Sequence, residues 1–193
     1  VVTRGDVGEY LDLLARQQNL SHTFESLELG LPGSHVVTTP NRVVLPDTMR
    51  AVVSAIRQGR QLRASYTSLS RPEPAETILE PHTLVCTGNN WHLRAWCDSN
   101  REYRDFALSR FRSAPEALRQ RAKHTRDQDE DWNREVTLVI TPDHRLTEAQ
   151  QRIIARDYGM DDGRLEIHTR AALTPYVLSR LGITFDNEHP DPL

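Results

Sequence analysis

The 193-residue sequence has only two cysteines, Cys86 and Cys97, a single lysine, Lys123, and no apolar run near the roughly 20 residues that span a bilayer. Two thiols are too few for a disulfide framework or a zinc cage. Without a signal-like start they point to a reducing, cytoplasmic compartment with no membrane partner. A basic excess is also missing. The net charge of −3 excludes a chain that coats duplex DNA through bulk electrostatics, so any nucleic-acid contact must be local. HExxH, CxxC, Walker A, GxGxxG and GxSxG patterns are all absent. The eight histidines are scattered, and His82 and His92, the nearest pair, have no thiol or carboxylate ligand beside them. The sequence therefore predicts no catalytic residue, no metal site, no cofactor and no enzyme.

What is present is ordinary globular material, 37% hydrophobic and 26% charged, enough for one or two small domains. Of the 24 basic residues all but Lys123 are arginine. A GC-rich genome explains that bias without any function, although planar guanidinium forks also suit phosphate and carboxylate.

Val7, Tyr10, Leu11 and Leu14 repeat at helical spacing behind an Asp6-x-x-Glu9 capping box, which predicts a helix over 7–18. Residues 19–46 read as a connector, with Val36-Val37 and Val43-Val44 as short strands. Asp47 is placed to cap a second helix with the apolar face Met49, Val52, Val53 and Ile56, and Gly59 to end it. Short alternating segments follow, around Leu62–Tyr66, Ile78–Leu79, Leu84–Cys86, Trp91–Cys97 and Tyr103–Leu108, separated by turn residues. That density of strands predicts a small antiparallel barrel or strongly bent sheet. Residues 112–131 are rich in charge and read as a short helix plus exposed linker. In the tail, Val136–Ile140 reads as a buried-type strand and Thr147-x-x-Gln150 as a capping box. Asp162-Gly163 reads as a turn into the strand 164–169, and Thr174-Pro175 as a helix start. This βαβα order needs a partner surface to cover its remaining face. The expected division is 1–46 helix and connector, 47–118 barrel, 119–133 linker and 134–193 C-terminal unit, an α+β architecture overall.

The stretch Trp91–Trp96 carries the most chemical information. In a strand, Trp91, Leu93, Ala95 and Cys97 share one face, and His92, Arg94 and Trp96 share the other. The second face offers donors and a ring side by side, which suits a phosphate or a nucleobase; an arginine stacked on Trp96 at an ordinary surface fits the same residues equally well. Arg104 and Arg110 would stand about 20 Å apart on a straight strand, so a shared site requires a bend near Ser109.

These residues resemble the WYL-domain transcriptional regulators, named for a Trp-Tyr-Leu tripeptide that stands here as Trp91-His92-Leu93. Tyr66, Pro81 and Arg104-x-Phe106-x-Leu108-x-Arg110 fall in the family's order. Pro81-His82, His92 in place of Tyr, Ile140-Thr141-Pro142, Asp157-Tyr158-Gly159-Met160 and Arg170-Ala171-Ala172-Leu173 are similar to the subgroup that regulates phage-defence operons of the BREX and CBASS type. The resemblance covers about residues 47–185. It implies an Sm-like β-barrel that senses a ligand, a C-terminal α/β dimerisation domain that makes a homodimer, and an N-terminal winged helix-turn-helix, missing from this chain, that contacts operator DNA. A truncated form or proteolytic core is therefore expected. Thr77 stands where many members carry arginine. The expected function is the sensing and dimerising part of a repressor. Its barrel would bind an anionic nucleotide or nucleic-acid fragment through Tyr66, His82, His92, Arg94, Arg104 and Arg110. Two other functions compete with it, a single-strand binding module in which Tyr66 and Trp96 stack bases, and a purely structural dimerisation fragment.

Overall fold

The computed structural model describes residues 42–88 and 90–183. All described residues belong to one compact unit, which begins at Arg42. The helix expected over 7–18 and the strand expected at Val36-Val37 lie outside the described residues.

Helix α1 spans Pro46–Gln58. Pro46 sits in its first turn, where the missing N–H is not needed. Asp47 lies inside that turn instead of capping it; the N-cap is Leu45, with no side-chain bond. Gly59 ends the helix at φ +58°, its N–H bonding to the Ala55 and Ile56 carbonyls. Val43 and Val44 are not in a strand.

Five strands follow: β1 Arg60–Tyr66, β2 Ala75–Cys86, β3 Trp91–Cys97, β4 Glu102–Ala107 and β5 Glu116–Arg121. They form one antiparallel sheet in the order β4-β3-β2-β1-β5. β2 is continuous through Pro81 because a bulge between Pro81 and Thr83 bends it there, the setting in which a strand tolerates proline. The sheet closes on itself beyond β4. A 3-10 turn over Leu108–Arg110 redirects the chain, and Phe111 bridges to Tyr66, with Thr67 N–H bonding Arg110 C=O at 3.2 Å and Arg112 N–H bonding Ser65 C=O at 2.9 Å. Val52 and Ala55 of α1 pack with Leu62, Ala64, Leu79, Leu93, Ala95, Cys97, Phe106, Leu108 and Phe111 as the barrel core. The alternation read from Trp91–Cys97 holds for Leu93, Ala95 and Cys97, which face inward, whereas Trp91 at the start of the strand is 41% exposed and lies outside the core.

Residues 112–131 depart from the expected helix and linker. They contain β5, a 3-10 turn at Arg126–Gln128 and the start of a one-turn helix, α2, at Glu130–Asn133. Their polar side chains have partners buried in the barrel wall. Glu80, only 4% exposed, accepts from Lys123 N (2.8 Å), His124 N (2.5 Å), His124 Nδ1 (2.9 Å) and Gln61 Nε2 (2.6 Å). Burial alone would raise the Glu80 pKa, but these hydrogen bonds outweigh it and hold the carboxyl below its usual range. His124 also stacks on Trp96, with ring centroids 3.9 Å apart.

The C-terminal unit comprises β6 Glu135–Ile140, α3 Glu148–Asp157, β7 Leu165–Arg170, a 3-10 turn at Ala171–Leu173 and α4 Thr174–Arg180. β6 and β7 pair antiparallel. The Thr147/Gln150 capping box forms, and Asp162 and Gly163 take positive φ in the expected turn. Thr174 is the first helical residue, with Leu173 at the N-cap. β6 is half-exposed instead of buried, since Thr137 and Val139 face outward. Among the described residues of 135–183, Leu178 alone is buried.

Candidate functional site

The barrel opens at the end where β1 and β3 finish and β2 begins. A cavity of about 180 Å³ there is lined by Tyr66, Phe106, Arg104, Arg110, Arg71 and a polar floor that includes Thr77 and Ser99. Local backbone geometry assembles it. The 3-10 turn supplies the bend that Arg104 and Arg110 need to share one site, and the closure of 110–112 onto β1 sets Arg110 beside Tyr66. The Tyr66 hydroxyl accepts from Ala107 N–H at 3.0 Å, and its ring meets Phe106 and Phe111 edge-on with centroids 5.1 and 5.3 Å away. Arg104 is half-exposed and 3.4 Å from Glu102, so its guanidinium stays hydrated at the rim. Thr77 Oγ1 lies 3.2 Å from Ser99 Oγ and 3.5 Å from the Cys97 thiol, which itself donates to Asn100 Oδ1. Thr77, Ser99 and Cys97 thus present neutral hydroxyl and thiol, while Glu76 and Asp105 line the same cavity as the three arginines.

Of the six residues expected to bind a ligand together, Tyr66, Arg104 and Arg110 line this cavity. His82, His92 and Arg94 do not. They lie on the outer face of the same wall, because the inner face of β3 carries Leu93, Ala95 and Cys97. Arg94, 7% exposed, donates through Nε and Nη2 to Asp129 at 2.7 and 3.0 Å. The bulge turns His82 outward, and its Nε2 is 3.1 Å from the same Asp129. Asp129 in turn caps α2 by accepting from Trp132 N–H at 3.1 Å. His92 sits beside Asn90, and its ring centroid is 5.0 Å from that of Tyr176 of α4.

This outer cluster is electrostatically matched. Burial would lower the Arg94 pKa, but Asp129 and Asp105 more than offset it and raise the value. Burial would raise the Asp129 pKa, and Arg94, the Trp132 amide and His82 pull it below the carboxylate range. The His82 pKa is lowered by burial, against the smaller opposing effect of Asp129. A desolvated, paired guanidinium has no spare charge for a solvent-borne anion. Sequence reasoning took Asp129 for part of a solvated linker, and so missed the partner that makes Arg94 structural. It also missed Arg71, whose loop reaches the cavity only in three dimensions.

Asp105 stands opposite Arg94 across β3 and β4. Its Oδ2 accepts from the Tyr176 hydroxyl at 2.9 Å, and its Oδ1 is 3.6 Å from Arg94 Nη1 with no hydrogen bond. Burial raises its pKa. No group of three or more metal-ligating side chains occurs among the described residues. None of the described helices is long and apolar enough to cross a membrane.

Comparison with known proteins adds an independent line. Residues 47–115 match the WYL domain, and residues 135–193 match the BrxR transcriptional regulator, C-terminal dimerization domain. The chain is 35% identical over 184 residues to the DNA-binding transcriptional repressor CapW of Stenotrophomonas maltophilia, covering 95% of this chain and 61% of that protein. It is 36% identical over 146 residues to the repressor of the same name from Pseudomonas aeruginosa, covering 76% of this chain and 48% of that one. The chain thus spans about half to three fifths of these relatives. Among solved structures, proteasome accessory factor B/C (PafBC) of Arthrobacter aurescens is similar at 27% identity and a TM-score of 0.38, over 77% of this chain and 26% of that one.

Proposed function

The chain belongs to the WYL-domain family, with a WYL barrel followed by the C-terminal dimerization domain of the BrxR regulators, and from that premise we propose that it is the effector-sensing and dimerising part of a DNA-binding transcriptional repressor. The effector is an anion, a nucleotide or nucleic-acid fragment, held at the barrel mouth. The observation that carries this reading is the convergence of Arg104, Arg110 and Arg71 with Tyr66 on one small cavity, where three guanidinium groups outnumber the carboxylates of Glu76 and Asp105. An excess of guanidinium over carboxylate beside neutral hydroxyls suits a phosphate ester: the charge meets the arginines and the hydroxyl-bearing remainder meets Thr77 and Ser99. Binding acts on the repressor only through a difference in affinity between its DNA-bound and released states. The resemblance to regulators of phage-defence operons, the dimerization domain and the relatives' naming as DNA-binding repressors support a cytoplasmic homodimer that acts on the operator of such genes.

Base stacking between Tyr66 and Trp96 finds no support. Trp96 stacks on His124 at the outer face, and Tyr66 packs edge-on inside the barrel, so the two rings do not form one groove.

Calorimetric titration with inorganic phosphate and with a panel of nucleoside monophosphates tests the assignment. Saturable binding that falls at least about tenfold in Arg104→Ala and in Arg110→Ala is expected, with unchanged affinity in Arg94→Met. Absence of saturable binding across the panel, or equal affinity in the Arg104 and Arg110 variants, removes it.

A further inference from the structure

Charge is unevenly spread over the barrel, although the whole chain carries −3. No Asp or Glu stands between Asp47 and Glu73, a stretch with five arginines. Between Glu116 and Asp127 there are three arginines and Lys123, again with no acid. The first stretch contains β1 and the second most of β5, and the two strands pair, so the fold adds the two biases together at one flank of the sheet.

The pairing register sharpens this bias. Arg60 lies directly opposite Arg121, and like charges so placed destabilise an antiparallel pair. The same ladder can do otherwise: Arg63 faces Glu116 and makes an ion pair with it at 3.0 Å. Among the described residues Arg60, Arg119, Arg121 and Lys123 have no such partner. From the Arg60 pair to the Leu62–Ala117 pair β1 advances two residues and β5 four, so β5 bulges from its neighbour around the exposed Arg119. Ala122 N–H bonds Gly59 C=O at 2.9 Å, which sets the end of α1, with the exposed Arg57 in its last turn, beside the end of β5. β5 pairs with β1 alone among the described strands. Charged side chains guard such an edge against pairing with another chain, but either sign serves that purpose. Exclusive positive charge, with two arginines face to face, calls for an external anion.

We propose that Arg57, Arg60, Arg119, Arg121 and Lys123 form a contact strip for the phosphate backbone of duplex DNA. A duplex presents one negative charge per roughly 1.7 Å of its axis with its bases turned inward, which suits a row of cations without rings. Single strands are held by stacking their bases on aromatic side chains, and residues 57–63 and 116–123 include none. The strip gives the chain a DNA contact of its own. None of its residues lines the barrel-mouth cavity, so it stands whether or not that cavity binds an effector.

The test is fluorescence anisotropy of labelled duplexes of about 20 base pairs and unrelated sequence, titrated with the 193-residue chain. Both duplexes should bind alike, with affinity falling about 40- to 150-fold between about 50 and 200 mM salt, the response of three to four neutralised phosphates. Arg119→Glu combined with Arg121→Glu should weaken binding at least about tenfold and reduce the salt slope by about two. Arg121→Glu alone gives Arg60 an opposite charge across the ladder, so its thermal midpoint should rise by about 1–3 °C while DNA affinity falls. Loss of binding is then not loss of fold. A Kd above about 10⁻⁴ M at the lowest salt, or wild-type affinity and slope in the double variant, would overturn the proposal. So would a lowered midpoint in Arg121→Glu, or tighter binding of the corresponding single strand. Displacement of the duplex by a nucleoside monophosphate at constant ionic strength would move the contact to the cavity mouth and overturn the strip. Failure of phosphate to bind the cavity would remove the effector reading and leave the strip in place.

Discussion

Replacing Asp129 with asparagine keeps the shape of the site and deletes one charge, and the structure gives a large expected cost. The carboxylate is 1% exposed and accepts four hydrogen bonds: two from Arg94, one from His82 and one from the Trp132 amide that starts α2. Its loss leaves the buried Arg94 guanidinium with Asp105 at 3.6 Å as its nearest counter-charge. Removing one partner of such a buried pair costs about 3–5 kcal/mol, a large part of the roughly 5–15 kcal/mol that holds a domain folded. Urea unfolding followed by tryptophan fluorescence measures it, with Trp132 adjacent to the site. A second variant separates the pair's charge from its hydrogen bonds. Arg94→Met combined with Asp129→Asn removes both charges, and should recover about 2 kcal/mol or more of the single-variant loss, since the buried guanidinium no longer lacks a partner. An Asp129→Asn loss under about 1 kcal/mol, or simple additivity in the double variant, would refute the argument that Arg94 is committed to Asp129.

The pH dependence of stability follows from two depressed groups in the same cluster. Folded His82 and Asp129 both bind protons less readily than they do unfolded, so stability is fully present above pH ~6.5 and falls as the pH drops, first through the His82 range and then through the carboxylate range. Thermal melts between pH 7.5 and 5 check this, and His82→Gln should flatten the upper part of the decline. Glu80→Gln should cost about 1.5–3 kcal/mol and speed proteolysis within 119–125, because the buried carboxylate is what fastens that segment; unchanged cleavage would contradict it. Val139→Glu, on the outward face of β6, should weaken self-association by at least about tenfold in sedimentation velocity if that face is buried between copies. An unaltered dissociation constant would move the interface elsewhere.

Most of the local design could be read from sequence. Gly59 and the Thr147/Gln150 box mark helix ends through their own chemistry, and the alternation along Trp91–Cys97 identified the core face of β3. What alternation could not tell is what covers the other face. The answer lies 35 residues away in Asp129, and no local periodicity links the two. The charge-rich stretch 112–131 was misread for the same reason. Its acids and amides look solvated unless Glu80 and Arg94 are known to wait beneath them. Strand spacing alone shows that Arg104 and Arg110 need a bend to share a cavity, but only the closure of 110–112 onto β1 explains how the chain meets that need. That closure sets Arg110 beside Tyr66, while the face each side chain takes on β2 and β3 keeps His82, His92 and Arg94 out of the cavity.

One side of the barrel mouth is sheet, and the other is the loop between β1 and β2. That loop contributes Ser68, Ser70 and Arg71 and is braced by its own turn, Ser68 N–H to Arg71 C=O at 2.9 Å. It takes no part in strand pairing, so its residues can be exchanged or its length altered while the five-strand register is left alone. Under the effector-site reading proposed above, these few positions are a free handle: rewriting them would change what the cavity accepts without touching the barrel, and an engineer seeking a new inducer should randomise them first.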